Sequence, residues 1–296
     1  VSDYKEPLDD VASNLILHLD ATNIDGANNE TLTESEEIIT WTDLSGNDNH
    51  AVKSKNNANP QYKSDGFNGL ASVYFDGSDA LKVNNNTPFK MQEFTIFIVG
   101  IQENVQDNES DWWSGVYMAM QGENLGWRIA RYLRYNDFSF SVRAISSTGD
   151  LNTGTPVDDI NNLIVARYSK SEQKRQVWIR GELQLDFDNT GNDHNIEYDS
   201  TKLAIGAQFK VRETNIWTQA GVRALEGNIS EILVFNTNLS AAERQTVTAY
   251  LSNKWGLIET VDSDEDGIFD NEEFAAGTEA DFFNWSQTES LPSFSI

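Results

Sequence analysis

Gln176-Val177-Trp178-Ile179-Arg180 and Leu183-Gln184-Leu185-Asp186-Phe187 are two short alternating runs separated by Gly181-Glu182. Alternation at period two sends successive side chains to opposite faces, so both runs read as strands and Arg180-Gly181-Glu182 as the hairpin turn between them. The same period is clear upstream, where Phe138, Phe140 and Val142 share one face and Ser139, Ser141 and Arg143 the other. Working outward, short segments bounded by Gly, Asn and Asp read as strands in the same way: Leu15–Leu19, Ser72–Phe75, Phe94–Gly100, Val116–Met120, Trp127–Leu133, Phe138–Ala144, Leu163–Tyr168, Leu203–Ala207 and Ile229–Phe235. Many short strands between turn clusters predict an all-β fold, a two-sheet antiparallel jelly-roll sandwich.

One helix follows the last strand. Ser240 with Glu243 forms a capping box, Val247, Leu251 and Trp255 make an apolar stripe, and Lys254 and Gly256 suit the C-terminal end. The sandwich is expected to close near Ile258, giving a domain over 1–258, a small acidic unit over 259–284 and a linker or truncated tail over 285–296. From Glu259 onward there are eleven acidic residues and no Lys or Arg.

The chain of 296 residues has a net charge of −26 and no cysteine. Disulfides and Cys-ligated zinc are excluded. A field of this sign opposes phosphate, so no nucleic-acid partner is expected. The longest apolar run, near Phe94–Ile101, is far short of the roughly 18 residues that span a bilayer, so no membrane insertion is expected. No signal peptide is legible near Val1. The acidity fits a secreted or cell-surface protein of a salty, marine-type bacterial setting.

Asp262-Ser263-Asp264-Glu265-Asp266-Gly267-Ile268-Phe269-Asp270-Asn271-Glu272-Glu273 has the spacing of a twelve-residue calcium loop. Asp262, Asp264, Asp266, Asp270 and Glu273 supply carboxylates, Ile268 offers its carbonyl, and Gly267 sits at the sharp bend. Calcium is therefore the expected cofactor; the alternative is a solvated acidic tail. The segment resembles the thrombospondin type 3 calcium-binding repeats of bacterial surface proteins, which implies a structural ion that stiffens a linker.

Four stretches suggest a family for the β domain: Leu15-Ile16-Leu17-His18-Leu19-Asp20-Ala21, Trp41-Thr42-Asp43-Leu44-Ser45-Gly46-Asn47-Asp48-Asn49-His50-Ala51, Val73-Tyr74-Phe75-Asp76-Gly77-Ser78-Asp79, and Gly227-Asn228-Ile229-Ser230-Glu231-Ile232-Leu233-Val234-Phe235 leading into Leu239–Arg244. Their order resembles the bacterial laminin-G-like, concanavalin A-like jelly rolls over roughly residues 14–257. The resemblance implies two stacked antiparallel sheets, often a calcium ion, and very often carbohydrate binding next to secreted polysaccharide-degrading enzymes. Asp20, Asn23, Asp25 or Asp76-Gly77-Ser78-Asp79 could hold a second calcium; turns are the favoured reading.

Catalytic constellations are hard to find. The hydrolase pattern E-x-D-x-x-E is absent, Glu231 stands as a single acid, and Asp186 with Asp188 is expected to face solvent. No lyase, nucleophile-elbow or phosphate-loop pattern is present, and His18, His50 and His194 lack metal-ligand spacing. Charge is uneven, however: between Trp127 and Arg180 nine basic residues meet five acids. Strand alternation turns Arg128, Tyr132 and Arg134 outward, likewise Arg143, and likewise Trp178 and Arg180. If those strands are neighbours, they form a patch that would grip carboxylates or sulfates and stack sugar rings, with Trp112, Trp113, Trp127 and Trp217 as further stacking candidates. The alternatives are surface ion pairs for the arginines and a core position for Trp127. These readings predict a non-catalytic carbohydrate-binding module for an anionic polysaccharide, tethered to other domains of a larger chain. A lyase or hydrolase of the same fold is the second reading, and a protein-binding adhesion domain the third.

Overall fold

A computed structural model describes residues 8–54, 58–103, 115–121, 125–132, 137–143, 150–152, 162–188, 195–198, 202–208 and 224–276. Two antiparallel sheets face each other. The first runs, in spatial order, β14 (Glu182–Asp188), β13 (Lys174–Ile179), β12 (Asn162–Ser169), β7 (Glu93–Gln102), β16 (Glu226–Phe235), β5 (Leu70–Asp76) and β4 (Gln61–Phe67). β1 (Leu15–Asp20) pairs with the second half of β16, while β5 pairs with the first half. The second sheet runs β11 (Asp150–Asn152), β10 (Asp137–Arg143), β9 (Gly126–Tyr132), β8 (Val116–Gln121), β15 (Leu203–Ile205), β6 (Leu81–Val83), β3 (Ala51–Lys53) and β2 (Thr40–Trp41).

The central strands β7 and β16 are nearly continuous apolar runs because both of their faces are covered. Between the sheets, the Phe94 ring lies 5.5 Å from Trp127, 5.7 Å from Tyr168 and 6.0 Å from Phe140, joining β7 and β12 to β9 and β10. The expected hairpin forms: Arg180 and Gly181 have φ of +54° and +84°, the left-handed pair that matches strand twist in a two-residue turn.

The stretch from Trp41 to Ala51 is a clasp. Asp43, buried, accepts N–H bonds from His18, Ser45 and Asn49, while Asn47 and Asn49 donate to the Leu15 and Ile16 carbonyls. Its polar residues thus satisfy the backbone of β1 where the ladder shifts register.

Helix α1 (Ala241–Lys254) starts at the expected capping box, with Glu243 N–H donating to Ser240 Oγ and Ser240 N–H to Glu243 Oε2. Val247, Leu251 and Trp255 are buried in the main core, each burial stabilising by roughly 1.5–3 kcal/mol. A short second helix, α2 (Asp270–Ala276), follows the acidic loop. Val261, just before that loop, is fully buried in the same core, so packing continues from sandwich into loop. Among the described residues no helix is long and apolar enough to cross a membrane.

Candidate functional site

The acidic loop is built by its own backbone. Asp262 accepts from the N–H groups of Glu265 and Gly267 at 2.8 Å, Asp264 from Asp266 at 3.2 Å, and Asp266 from Ile268 at 2.9 Å. Gly267 has φ +94°, the bend its place in the spacing demanded. These bonds turn one oxygen each of Asp262, Asp264 and Asp266 to within 4.8 Å of one another. Glu273 is buried, and its Oε2 has no hydrogen-bond partner. Burial, then the charges of Asp264, Asp266, Asp270 and Asp262, push the Glu273 carboxyl up to about 7. Clustered hard oxygens with an unsatisfied buried carboxylate fit a cation of the calcium type. Asp270 differs from its fellows: Ser263 donates to both of its oxygens, from N–H at 2.8 Å and from Oγ at 2.7 Å.

The loop is seated on the sandwich. Its Asp262 N–H donates to the Arg180 carbonyl at 3.2 Å, and a Cβ on Gly181 would meet the Asp262 carbonyl oxygen at 1.7 Å. Glu265 pairs with Arg244 of α1 at 2.5 Å and accepts the Trp178 indole N–H at 3.2 Å. The Arg244 guanidinium lies 4.0 Å from the Trp178 ring centroid.

A second cluster lies where β1, β16 and the end of α1 meet. Donor atoms of His18, Asp20 and Glu231 fall within 4.8 Å of one another, a metal-like grouping. Lys254 Nζ takes the cation's place, donating to Asp20 Oδ2 at 2.6 Å and Glu231 Oε2 at 2.7 Å. His18 Nε2 and the Trp255 indole N–H complete the shell of Glu231 at 2.7 and 2.6 Å. Burial opposes ionisation of Asp20, but Lys254 and Thr22 outweigh it and hold the carboxyl below its ordinary value. Burial works against the Lys254 charge, and Glu231 and Asp20 raise its pKa overall. Lys254 thus bridges Asp20 and Glu231 and ties the end of α1 to β1 and β16. Sequence reasoning missed this network; a charged residue inside an apolar strand, as in Ile229–Phe235, was the available signal.

The expected basic patch requires correction. β9 and β10 belong to one sheet, β12 and β13 to the other, so Arg128 and Arg180 are carried by different sheets. Trp127 is fully buried in the main core and donates to the Phe89 carbonyl. Arg128 is 1% exposed and donates to Gln208 Oε1 at 2.9 Å. Trp178 is buried beneath Arg244, and Arg180 alone stays partly open, at the hairpin turn. Trp112, Trp113, Arg134 and Trp217 lie outside the described residues, as do the side chains of Tyr132 and Arg143 and His194.

Asp186 and Asp188 face solvent, as expected, beside Lys174. Asp20, Asn23, Asp25 and Asp76 cap turns: Thr22 N–H donates to Asp20, Asn28 N–H to Asn23, Ala27 N–H to Asp25 and Ser78 N–H to Asp76. Asp79 accepts the Asp76 N–H at 3.0 Å, and its burial together with the Asp76 charge pushes it up to about 6 despite that bond.

No protein-family model matches the sequence, and no curated protein matches it. Solved structures do match in fold. Domain 4 of AbnA, a GH43 extracellular arabinanase from Geobacillus stearothermophilus, solved in complex with arabinotriose, is 12% identical over 78% of this chain and 96% of that one, with a TM-score of 0.54. The binding domain of Paraclostridial mosquitocidal protein 1 is 14% identical over 82% of this chain, with a TM-score of 0.56. The botulinum neurotoxin serotype D binding domain is 13% identical over 83%, with a TM-score of 0.52. This chain covers about half the length of each toxin domain, 53% in both cases. The chain shares the β-sandwich fold of these domains.

Proposed function

We propose that this protein is a non-catalytic carbohydrate-binding module, part of a larger secreted or surface protein, with a calcium-loaded loop at its C-terminal end. The observation that carries the reading is the likeness over nearly the whole of an arabinanase domain whose solved structure holds arabinotriose. Binding without turnover is supported by the Lys254 cluster, where both buried acids are neutralised from within the chain. The preference for an anionic glycan rested on an exposed basic patch, and the burial of Arg128 and Trp178 removes that ground among the described residues. We therefore read the ligand as a neutral polysaccharide. The laminin-G-like and thrombospondin type 3-like readings rest on the sequence stretches quoted above.

Asp262, Asp264, Asp266, the Ile268 carbonyl and Glu273 would hold calcium, and Asp270 would brace the loop through Ser263. Bound calcium would supply structural charge neutralisation. Affinity electrophoresis in arabinan, xylan, glucans and alginate, with calcium present, tests the binding. Retardation by a neutral glycan without release of reducing ends is expected; no retardation by any glycan overturns the reading.

A further inference from the structure

The β13–β14 turn and the acidic loop enclose a groove of about 860 Å³, lined among others by Arg180, Leu183, Gln184, Glu259 and Phe269. We infer that this groove is the glycan site, that it takes a neutral oligosaccharide, and that calcium in the adjoining loop is required for it to bind. The inference rests on the carbohydrate-binding reading and adds the place, the charge class and the ionic control.

Two apolar side chains stand open there, Leu183 at 42% and Phe269 at 47% exposure. An open ring beside an aliphatic side chain suits the C–H face of a sugar. Around them lie groups that hydrogen-bond hydroxyls: the Arg180 guanidinium and Gln184 amide as donors, and the Gln184 oxygen with the Glu182 and Glu259 carboxylates as acceptors. Among the described residues Arg180 has no ion pair, so its donors are available. The remaining acids of the lining are engaged elsewhere: Glu265 with Arg244 and Trp178, Asp262 and Asp266 with N–H groups of the loop. That leaves two carboxylates against one guanidinium, a balance that repels polyanions and tolerates neutral hydroxyls. The volume lies within the range of small-ligand sites.

Calcium enters because Asp262, Asp266, Gly267 and Phe269 form one wall. An ion held by Asp262, Asp264 and Asp266 would fix that wall and the Phe269 ring, so ion and glycan would strengthen each other's binding.

The test uses the full chain in affinity electrophoresis and calorimetry with arabinan, xylan, a mixed-linkage glucan and alginate. Variants are Phe269→Ala, Arg180→Gln and Asp264→Ala, with Ile39→Ala, an exposed position outside the groove lining, as control. Phe269→Ala and Arg180→Gln are expected to weaken neutral-glycan binding at least tenfold with Tm unchanged. Asp264→Ala, or chelator on the parent, is expected to abolish it, while Ile39→Ala binds as the parent does. If the parent binds a neutral glycan and the groove variants bind equally well, the groove is overturned and the module reading stands. If alginate alone binds, or chelator leaves binding intact, the charge class or the ionic control is overturned. If the parent binds no glycan, the module reading falls first.

Discussion

Asp20 and Glu231 face an ammonium supplied by the chain itself, whereas Asp262, Asp264, Asp266 and Glu273 face none among the described residues. Both groups gather carboxylate oxygens closely enough to need a positive charge. In the first, Lys254 arrives with helix α1, so neutralisation accompanies folding and the cluster ties helix to sheet permanently. In the second, Glu273 keeps a buried oxygen without a hydrogen-bond partner, and on the proposed calcium reading neutralisation would come from solution. An internal cation makes a fixed strut; an external one makes a conditional strut that ion concentration and pH can loosen.

The strongest way to break this contrast is Lys254→Met. It strands two carboxylates in the interior and is expected to cost about 3–5 kcal/mol in urea denaturation. A loss under 1 kcal/mol would mean that the ammonium is dispensable. The next effect belongs to the loop. Calcium at about a hundred times its dissociation constant should stabilise by about 2.7 kcal/mol, seen as a rise in Tm that Asp264→Ala removes. Because the Trp178 indole N–H rests on Glu265, tryptophan emission should shift with the same titration.

Acid separates the two clusters by sign. Asp20 is depressed in the folded state, so its contribution is complete above the ordinary aspartate value and is lost as pH falls through the folded one. Glu273 is raised to about 7, so protonation favours the ion-free fold as pH falls from 7 toward 4.5, and protons compete with calcium there. Calcium affinity should fall about tenfold between pH 8 and pH 6. A flat profile would remove Glu273 from the ligand set. The smallest expected effect is the coupling across Arg244–Glu265, about 1 kcal/mol in a double-mutant cycle, because Glu265 is partly exposed.

Strand positions were legible because short alternating or apolar runs stand between turn clusters; the eleven strands read from sequence all have counterparts in the two sheets. The hairpin turn and the capping box were legible for the same reason, being contacts between residues two to three apart. Alternation also separated Arg128 from Ile129 correctly. Ile129 lies in the main core, and Ala130 belongs to a separate small cluster with Val116 and Ala119. What alternation could not say is that the face opposite the core is itself covered at Arg128, or that α1 and the acidic loop lie over Trp178. A residue facing away from one core is not thereby exposed.

Local spacing therefore settled the β-rich chain, its helix and the oxygen-rich loop, since each depends on forces acting over a few residues along the backbone. Contacts across 234 residues brought Lys254 to Asp20, and contacts across 87 brought Trp178 under Glu265. Only packing of the sheets decided which charges would be buried, which would be paired, and which side chains would remain open to a ligand. Those outcomes depend on what covers each face, and no periodicity within a strand carries that information.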